Sequence, residues 1–265
     1  MTTPTILISL SSFGAAEVRR HGQHWFARLA HAAGADGVEV RGELLTNPAA
    51  ELAALADAAR ELSFKLVYSS PEGLWAPDGA LDTAALERAL LAAEQLGAPR
   101  LKMSIGNFKS QSSPTLTELR QRLDGTEVEL LIENDQTVQA GSLTALQDFF
   151  SAANEFGLFP GLTFDMGNWH WVGECPLQAA AALAPQVRYV HCKGVQREPK
   201  RWIAVPLAES GAPWRAVLRA LPASVPWAIE YPLAGDDLLA VTGREVNALR
   251  ALAAANLGVR VGVHL

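Results

Sequence analysis

The chain has 265 residues, 49% of them hydrophobic, enough to bury a large core in one domain or two. Its net charge of −6 argues against a general nucleic-acid or membrane-surface binder, both of which are normally basic. Two cysteines outside any CxxC pair exclude a disulfide scaffold and fit a reducing compartment, and no run reaches the ~18 apolar residues of a membrane span.

The N-terminal MTTPTILISLSSFG lacks the positive leader and longer apolar core of a signal peptide, so a soluble, cytoplasmic protein is expected. It contains the first strand-like run, at 5–12. Further runs follow at 37–41, 65–70, 100–105, 128–134, 162–167, 187–194 and 227–232. Between them lie segments of helical period at 48–63, 82–97, 142–157 and 243–258, each ending in Gly or Ser. Asp82 stands in N-cap position for the second of these. Eight strand candidates at about 33 residues per unit fit a single-domain (β/α)8 TIM barrel over residues 1–265. An open doubly wound sheet is the alternative, but SSFGAAE after the first strand holds no Gly-rich phosphate loop.

In such a barrel, polar residues at the C-terminal ends of strands face the active-site mouth. Glu39, Glu133, Asp165, His191, Lys193 and Glu230 all interrupt apolar strands near their ends, and Lys102 does so earlier in its strand. Glu133, Asp165, His191 and Glu230 come from consecutive strands and would converge. Three carboxylates in a small volume must be protonated, paired with cations or bound to a metal. A divalent ion removes the difficulty, and an O/O/N/O donor set suits Mn²⁺, Mg²⁺, Co²⁺ or Zn²⁺. Taken singly, each acid reads equally well as a loop residue or helix cap, and His191 as a hydrogen-bonded core histidine.

The ordered set in LLIENDQ, LTFDMGNWHW, RYVHCKG and WAIEYP resembles the xylose-isomerase-like TIM-barrel superfamily, in the branch with sugar epimerases, hydroxypyruvate isomerase and inosose dehydratase. The resemblance covers nearly the whole chain. It implies one divalent metal ion held by Glu133, Asp165, His191 and Glu230, with Glu133 and Glu230 also moving protons through an enediolate intermediate. It further implies a carbohydrate or keto-acid substrate, such as a small sugar, sugar phosphate or hydroxy acid, and a homo-oligomer. A metal-dependent dehydratase on the same barrel is the first alternative. An endonuclease-IV-like phosphodiesterase needs more metal-ligating histidines than His170 and His191, and a noncatalytic sugar-binding barrel would turn over nothing.

The chain departs from the epimerase pattern at two places. Asn168 stands where those enzymes carry a substrate-contacting histidine, with His170 two positions later, and Gln139 replaces a glutamate. Arg197 keeps the spacing of their substrate-holding arginine. Lys193 and Lys102 are read as grips for an anionic substrate or, alternatively, as partners for neighbouring carboxylates. Glu39 is a further candidate substrate contact. Trp75, Trp169, Trp171 and Trp202 fall in expected loops, with Trp75 the first choice for a lid. His24 is a candidate for the mouth, His31 reads as helix surface, and His264 has no role. Cys192 alternates to the packed face, and Lys200 and Arg201 read as a solvated loop.

Overall fold

The computed structural model describes residues 5–262, with side chains through residue 256; His264 lies outside the described residues. Eight parallel strands close into a barrel: β1 (Ile6–Ser9), β2 (Gly37–Arg41), β3 (Lys65–Trp75), β4 (Arg100–Gly106), β5 (Glu129–Glu133), β6 (Gly161–Asp165), β7 (Val187–Cys192) and β10 (Trp227–Ile229). All eight expected runs therefore become barrel strands. Helices α1 (Ala15–His21), α2 (Gln23–Ala32), α3 (Pro48–Leu62), α4 (Thr83–Leu96), α5 (Leu116–Leu123), α6 (Val138–Gly141), α7 (Leu143–Glu155), α8 (Pro176–Leu183), α9 (Trp214–Ala220) and α10 (Leu238–Gly262) surround them. Local chemistry sets the helix ends: the Asp82 carboxylate accepts from Ala85 N at 2.9 Å, and α4 stops where Gly97 turns left-handed at φ 70°.

Strand alternation separates two apolar layers. Outward side chains such as Ile6, Val38, Leu101, Ile132, Phe164 and Ile229 are buried beneath the helices. Inward side chains Leu7, Val67, Leu131, Tyr189 and Ala228 form a small floor inside the barrel. Two residues further along each of those strands stand Ser9, Ser69, Glu133, His191 and Glu230. Period two thus converts an apolar floor into a polar chamber in one step toward the C-terminal mouth.

Two segments differ from expectation. β3 runs on through SSPEGLW as far as Trp75, with its register on β4 shifting between Ser69 and Gly73. The stretch after β7 forms an antiparallel hairpin of β8 (Gly194–Arg197) and β9 (Trp202–Val205), and Lys200 and Arg201 sit at its turn. Among the described residues no helix is long and apolar enough to cross a membrane.

Candidate active site

Each ligand candidate is fixed by its strand and by a local hydrogen bond. Asp165 ends β6 opposite His191 on β7. The Asn134 side chain brackets it, donating to Asp165 O at 3.0 Å and accepting from Asp165 N at 2.8 Å. Asp165 Oδ1 accepts from the N–H groups of Gly167 (2.7 Å) and Asn168 (2.9 Å), which leaves Oδ2 to face the chamber. Glu230 follows β10 directly, and its N–H donates to Cys192 O at 3.2 Å, continuing the ladder.

The four residues meet as their strand order requires. His191 Nδ1 lies 2.8 Å from Glu230 Oε2, 3.0 Å from Glu133 Oε1 and 3.8 Å from Asp165 Oδ2. His191 Nε2, on the other edge of the ring, lies 2.7 Å from Glu39 Oε2. Ionised carboxylates only accept, so both ring nitrogens donate and the ring is an imidazolium in this arrangement. Burial opposes that charge, but the facing Glu230 and Glu39 outweigh it and hold the His191 pKa well above the ordinary range. Burial likewise raises Glu133 and Glu230, and the opposing cations reverse it: Lys102 and His191 lower Glu133, while His191 and Lys193 lower Glu230 strongly. Asp165 stays raised, because burial exceeds the help from Lys193 and the Glu230 charge adds to it.

A cation fits this donor set. One ligand atom from each of Glu133, Asp165, His191 and Glu230 lies within 4.8 Å of the others. Metal–ligand distances of about 2.0–2.6 Å place opposite ligands about 4–5 Å apart. Asp165 Oδ2 is buried without an aligned hydrogen bond, although Lys193 Nζ approaches it at 2.6 Å. The cluster can therefore hold a metal ion once His191 gives up its Nδ1 proton.

The remaining candidates are placed less uniformly. Lys193 is 9% exposed and is taken up by Asp165, by Glu230 at 2.9 Å and by Asn168 Oδ1 at 3.1 Å, so its internal-partner reading is the one realised. Gly167 makes room for it: a Cβ there would meet Lys193 Cδ at 2.7 Å. Lys102, at 1% exposed, does not reach a substrate as expected; its ammonium lies between Glu39 (3.1 Å) and Glu133 (2.8 Å). Glu39, at 0%, is not a substrate contact either, being closed behind the imidazole. The Asn168 amide donates to Asn134 O and accepts from Gln136 and Lys193, so it braces the chamber wall.

Trp75 is no lid. It is 1% exposed and packs edge-on against Phe108 and Phe149, with its indole N–H donating to Thr115 Oγ1 at 3.0 Å. Trp169 is equally buried, against Phe164. Trp202 instead lies half-buried on the hairpin, between the His170 ring at 4.9 Å and the exposed Arg197 guanidinium at 5.2 Å. His24 sits on α2 within electrostatic reach of Glu61 on α3, on the helical layer and not at the mouth.

The residue missed from sequence is Arg41. Its guanidinium donates through Nη1 to Glu39 (3.0 Å) and Glu230 (2.9 Å) and through Nε to Glu43 (2.9 Å). It is 18% exposed, and its Nη2 has no protein partner among the described hydrogen bonds and ion pairs. The signal was present: in GVEVR, Glu39 and Arg41 are two apart at a strand end and share the inward face.

The closed eight-stranded barrel defines a class, and the sequence agrees: the chain belongs to the xylose isomerase-like TIM-barrel family, whose pattern spans residues 27–259. No curated protein matches it. Among solved structures it is similar to an L-ribulose 3-epimerase, with 16% identity, 99% of this chain and 98% of that one covered, and a TM-score of 0.70. A probable 3-DHS dehydratase of Bacillus anthracis gives 13% identity, 92% and 98% coverage and a TM-score of 0.69. A xylose isomerase domain protein of Alicyclobacillus acidocaldarius gives 18%, 96% and 99%, and 0.69.

Proposed function

We propose that the protein is a divalent-metal-dependent isomerase or epimerase of a small hydroxy-carbonyl compound, a sugar or hydroxy acid. The observation that carries this reading is the convergence of Glu133, Asp165, His191 and Glu230 within 4.8 Å at the barrel mouth. A divalent cation bound there would stabilise negative charge developing on a substrate oxygen.

The residues of the chain supply the rest. Glu133 on β5 and Glu230 after β10 stand at the two ends of the ligand arc, with Asp165 and His191 between them. They can therefore reach a bound carbon from two sides, as removal and return of a proton requires. Both are kept ionised, Glu133 through Lys102 and His191, and Glu230 through His191 and Lys193, despite their burial. Arg41 offers its Nη2 donors to an oxygen of the substrate.

A dehydratase reading uses the same donor cluster, and in it Lys193 would have to leave its pairing with Asp165 and Glu230 to protonate a departing hydroxyl. Product mass separates the two, since only the lyase loses water.

The test is Mn²⁺ calorimetry on the wild type, followed by solvent-deuterium incorporation into whichever aldose, ketose or hydroxy acid is turned over. We expect one ion per chain and label at the carbon next to the carbonyl. Glu133→Gln and Glu230→Gln should each slow exchange by about 10²–10⁴-fold. A wild type that binds no divalent ion, or variants that exchange at its rate, would overturn the reading.

A further inference from the structure

Glu39 is as fully enclosed as Asp165 and His191, and unlike them it has no part in the proposed chemistry. Its exposure is 0%, and both carboxylate oxygens are committed. Oε2 faces His191 Nε2 at 2.7 Å. Oε1 accepts from Ser9 Oγ at 3.3 Å and Arg41 Nη1 at 3.0 Å, and lies 3.1 Å from Lys102 Nζ. The imidazole stands between Glu39 and the ligand cluster, so Glu39 reaches neither a bound ion nor a substrate.

The same oxygen also links the two glutamates at the ends of the arc. Lys102, held by Glu39, lies 2.8 Å from Glu133 Oε2. Arg41, also held by Glu39, donates to Glu230 Oε1 at 2.9 Å. In each glutamate one oxygen is thereby tied outward, and the other faces His191 Nδ1: Glu133 Oε1 at 3.0 Å and Glu230 Oε2 at 2.8 Å.

We infer that Glu39 is a positioning residue: it keeps the proton on His191 Nε2 so that Nδ1 is the ligand nitrogen, and through Lys102 and Arg41 it turns one oxygen of Glu133 and of Glu230 toward the ion. A carboxylate on the far nitrogen of a metal-ligating histidine fixes tautomer and ring orientation and strengthens the ligand. Glu39 adds a second task, because its other oxygen anchors the cations that orient two further ligands. The inference rests on the metal reading of the cluster.

Substitution by glutamine separates these tasks from mere space filling. An amide has one acceptor oxygen and one donor nitrogen. If the oxygen faces His191, the NH2 group points at Lys102 and Arg41; if it faces them, NH2 points at the Nε2 proton. Either orientation breaks one half of the arrangement at nearly constant volume.

The test is Mn²⁺ calorimetry without substrate on wild type and Glu39→Gln, with circular dichroism to establish that the variant is folded. Affinity should fall by about 10–100-fold. Nitrogen-15 NMR of the wild-type His191 ring, metal-free and Zn²⁺-loaded, supplies a readout that needs no variant: Nε2 should carry a proton in both states and Nδ1 none in the loaded one. A folded Glu39→Gln that binds Mn²⁺ as tightly as wild type, or an unprotonated Nε2 in the loaded chain, overturns the inference. Failure of the wild type itself to bind Mn²⁺ overturns the metal reading and, with it, the ligand-orienting role. A proton on Nε2 in the metal-free chain would then still register the Glu39 contact.

Discussion

The two arcs of the barrel mouth contrast sharply in what they contribute. β5 and β6 end in Glu133 and Asp165, His191 lies one residue before the end of β7, and Glu230 follows β10 directly; together they form a donor set that could hold a cation. β1, β2 and β4 place no atom in that set; they bring Glu39, Arg41 and Lys102, which touch the donors from behind, and Ser9, which touches Glu39. One arc thus concentrates negative charge, and the other supplies fixed positive charge that offsets its desolvation. The lesson concerns folding as much as chemistry. Because Lys102, Arg41, Lys193 and the His191 imidazolium already pair with the carboxylates, the chamber is balanced before any ion enters.

Removing a cation of the supporting arc breaks that balance most severely. Lys102 and Arg100 both lie on β4, but Lys102 is 1% exposed between two carboxylates, whereas the Arg100–Glu129 pair is 26% and 40% exposed at the strand's start. Lys102→Met leaves Glu39 and Glu133 buried without their shared counter-ion, and we expect a loss of about 3–5 kcal/mol in urea unfolding of the metal-free chain. Arg100→Met should cost under about 1 kcal/mol. Equal losses would show that the two arcs are not electrostatically complementary.

A smaller effect comes from pH, acting through His191. In the metal-free chain its raised pKa means it contributes stability that is complete below its unfolded value of about 6.5 and is lost as pH climbs through the folded value. The depressed Glu133 and Glu230 work the other way, contributing stability above about 4.3 that is lost as pH falls through their folded values. Metal uptake must expel the Nδ1 proton, so Mn²⁺ affinity should rise with pH, by up to about tenfold per unit, as long as pH stays below the raised folded value of His191. Calorimetry in buffers of different ionisation enthalpy reads the released proton directly; affinity that is flat with pH would place the proton elsewhere.

The donor arc was legible in the sequence and the supporting arc was not, for a physical reason. Apolar strands at regular spacing fix which residues end at the mouth and bring Glu133, Asp165, His191 and Glu230 there along with Glu39 and Lys193; the family resemblance singles out the four. Whether an inward ammonium reaches solvent or a neighbouring acid depends on strand stagger and side-chain length, which a linear pattern does not contain. Lys102 and Glu39 were therefore placed on the correct face with the wrong partner. Trp75 failed differently: it is expected in a loop after the run at 65–70, yet β3 extends to it in a shifted register and carries the indole into the core. The β8–β9 hairpin was missed because its first strand, GVQR, turns polar after two residues and leads into the charged REPKR stretch that reads as a solvated loop.

The smallest expected effect lies on that hairpin, and it tests whether the rim belongs to the site at all. Arg197 and Trp202 face each other across the β8–β9 pair, with the guanidinium 5.2 Å from the ring centroid and the His170 ring 4.9 Å from the same indole at a 45° tilt. An exposed cation–π contact contributes about 0.5–1 kcal/mol, so Arg197→Met should shift unfolding by no more than that. Arg197 touches none of the four donors among the described contacts, and Mn²⁺ affinity should stay unchanged. A substrate held against the rim would then raise KM with little change in kcat, because ground-state and transition-state binding weaken together. Unchanged kinetics would confine recognition to the chamber, with Arg41 as its exposed donor; a fall in kcat alone would place Arg197 at the reacting atoms instead.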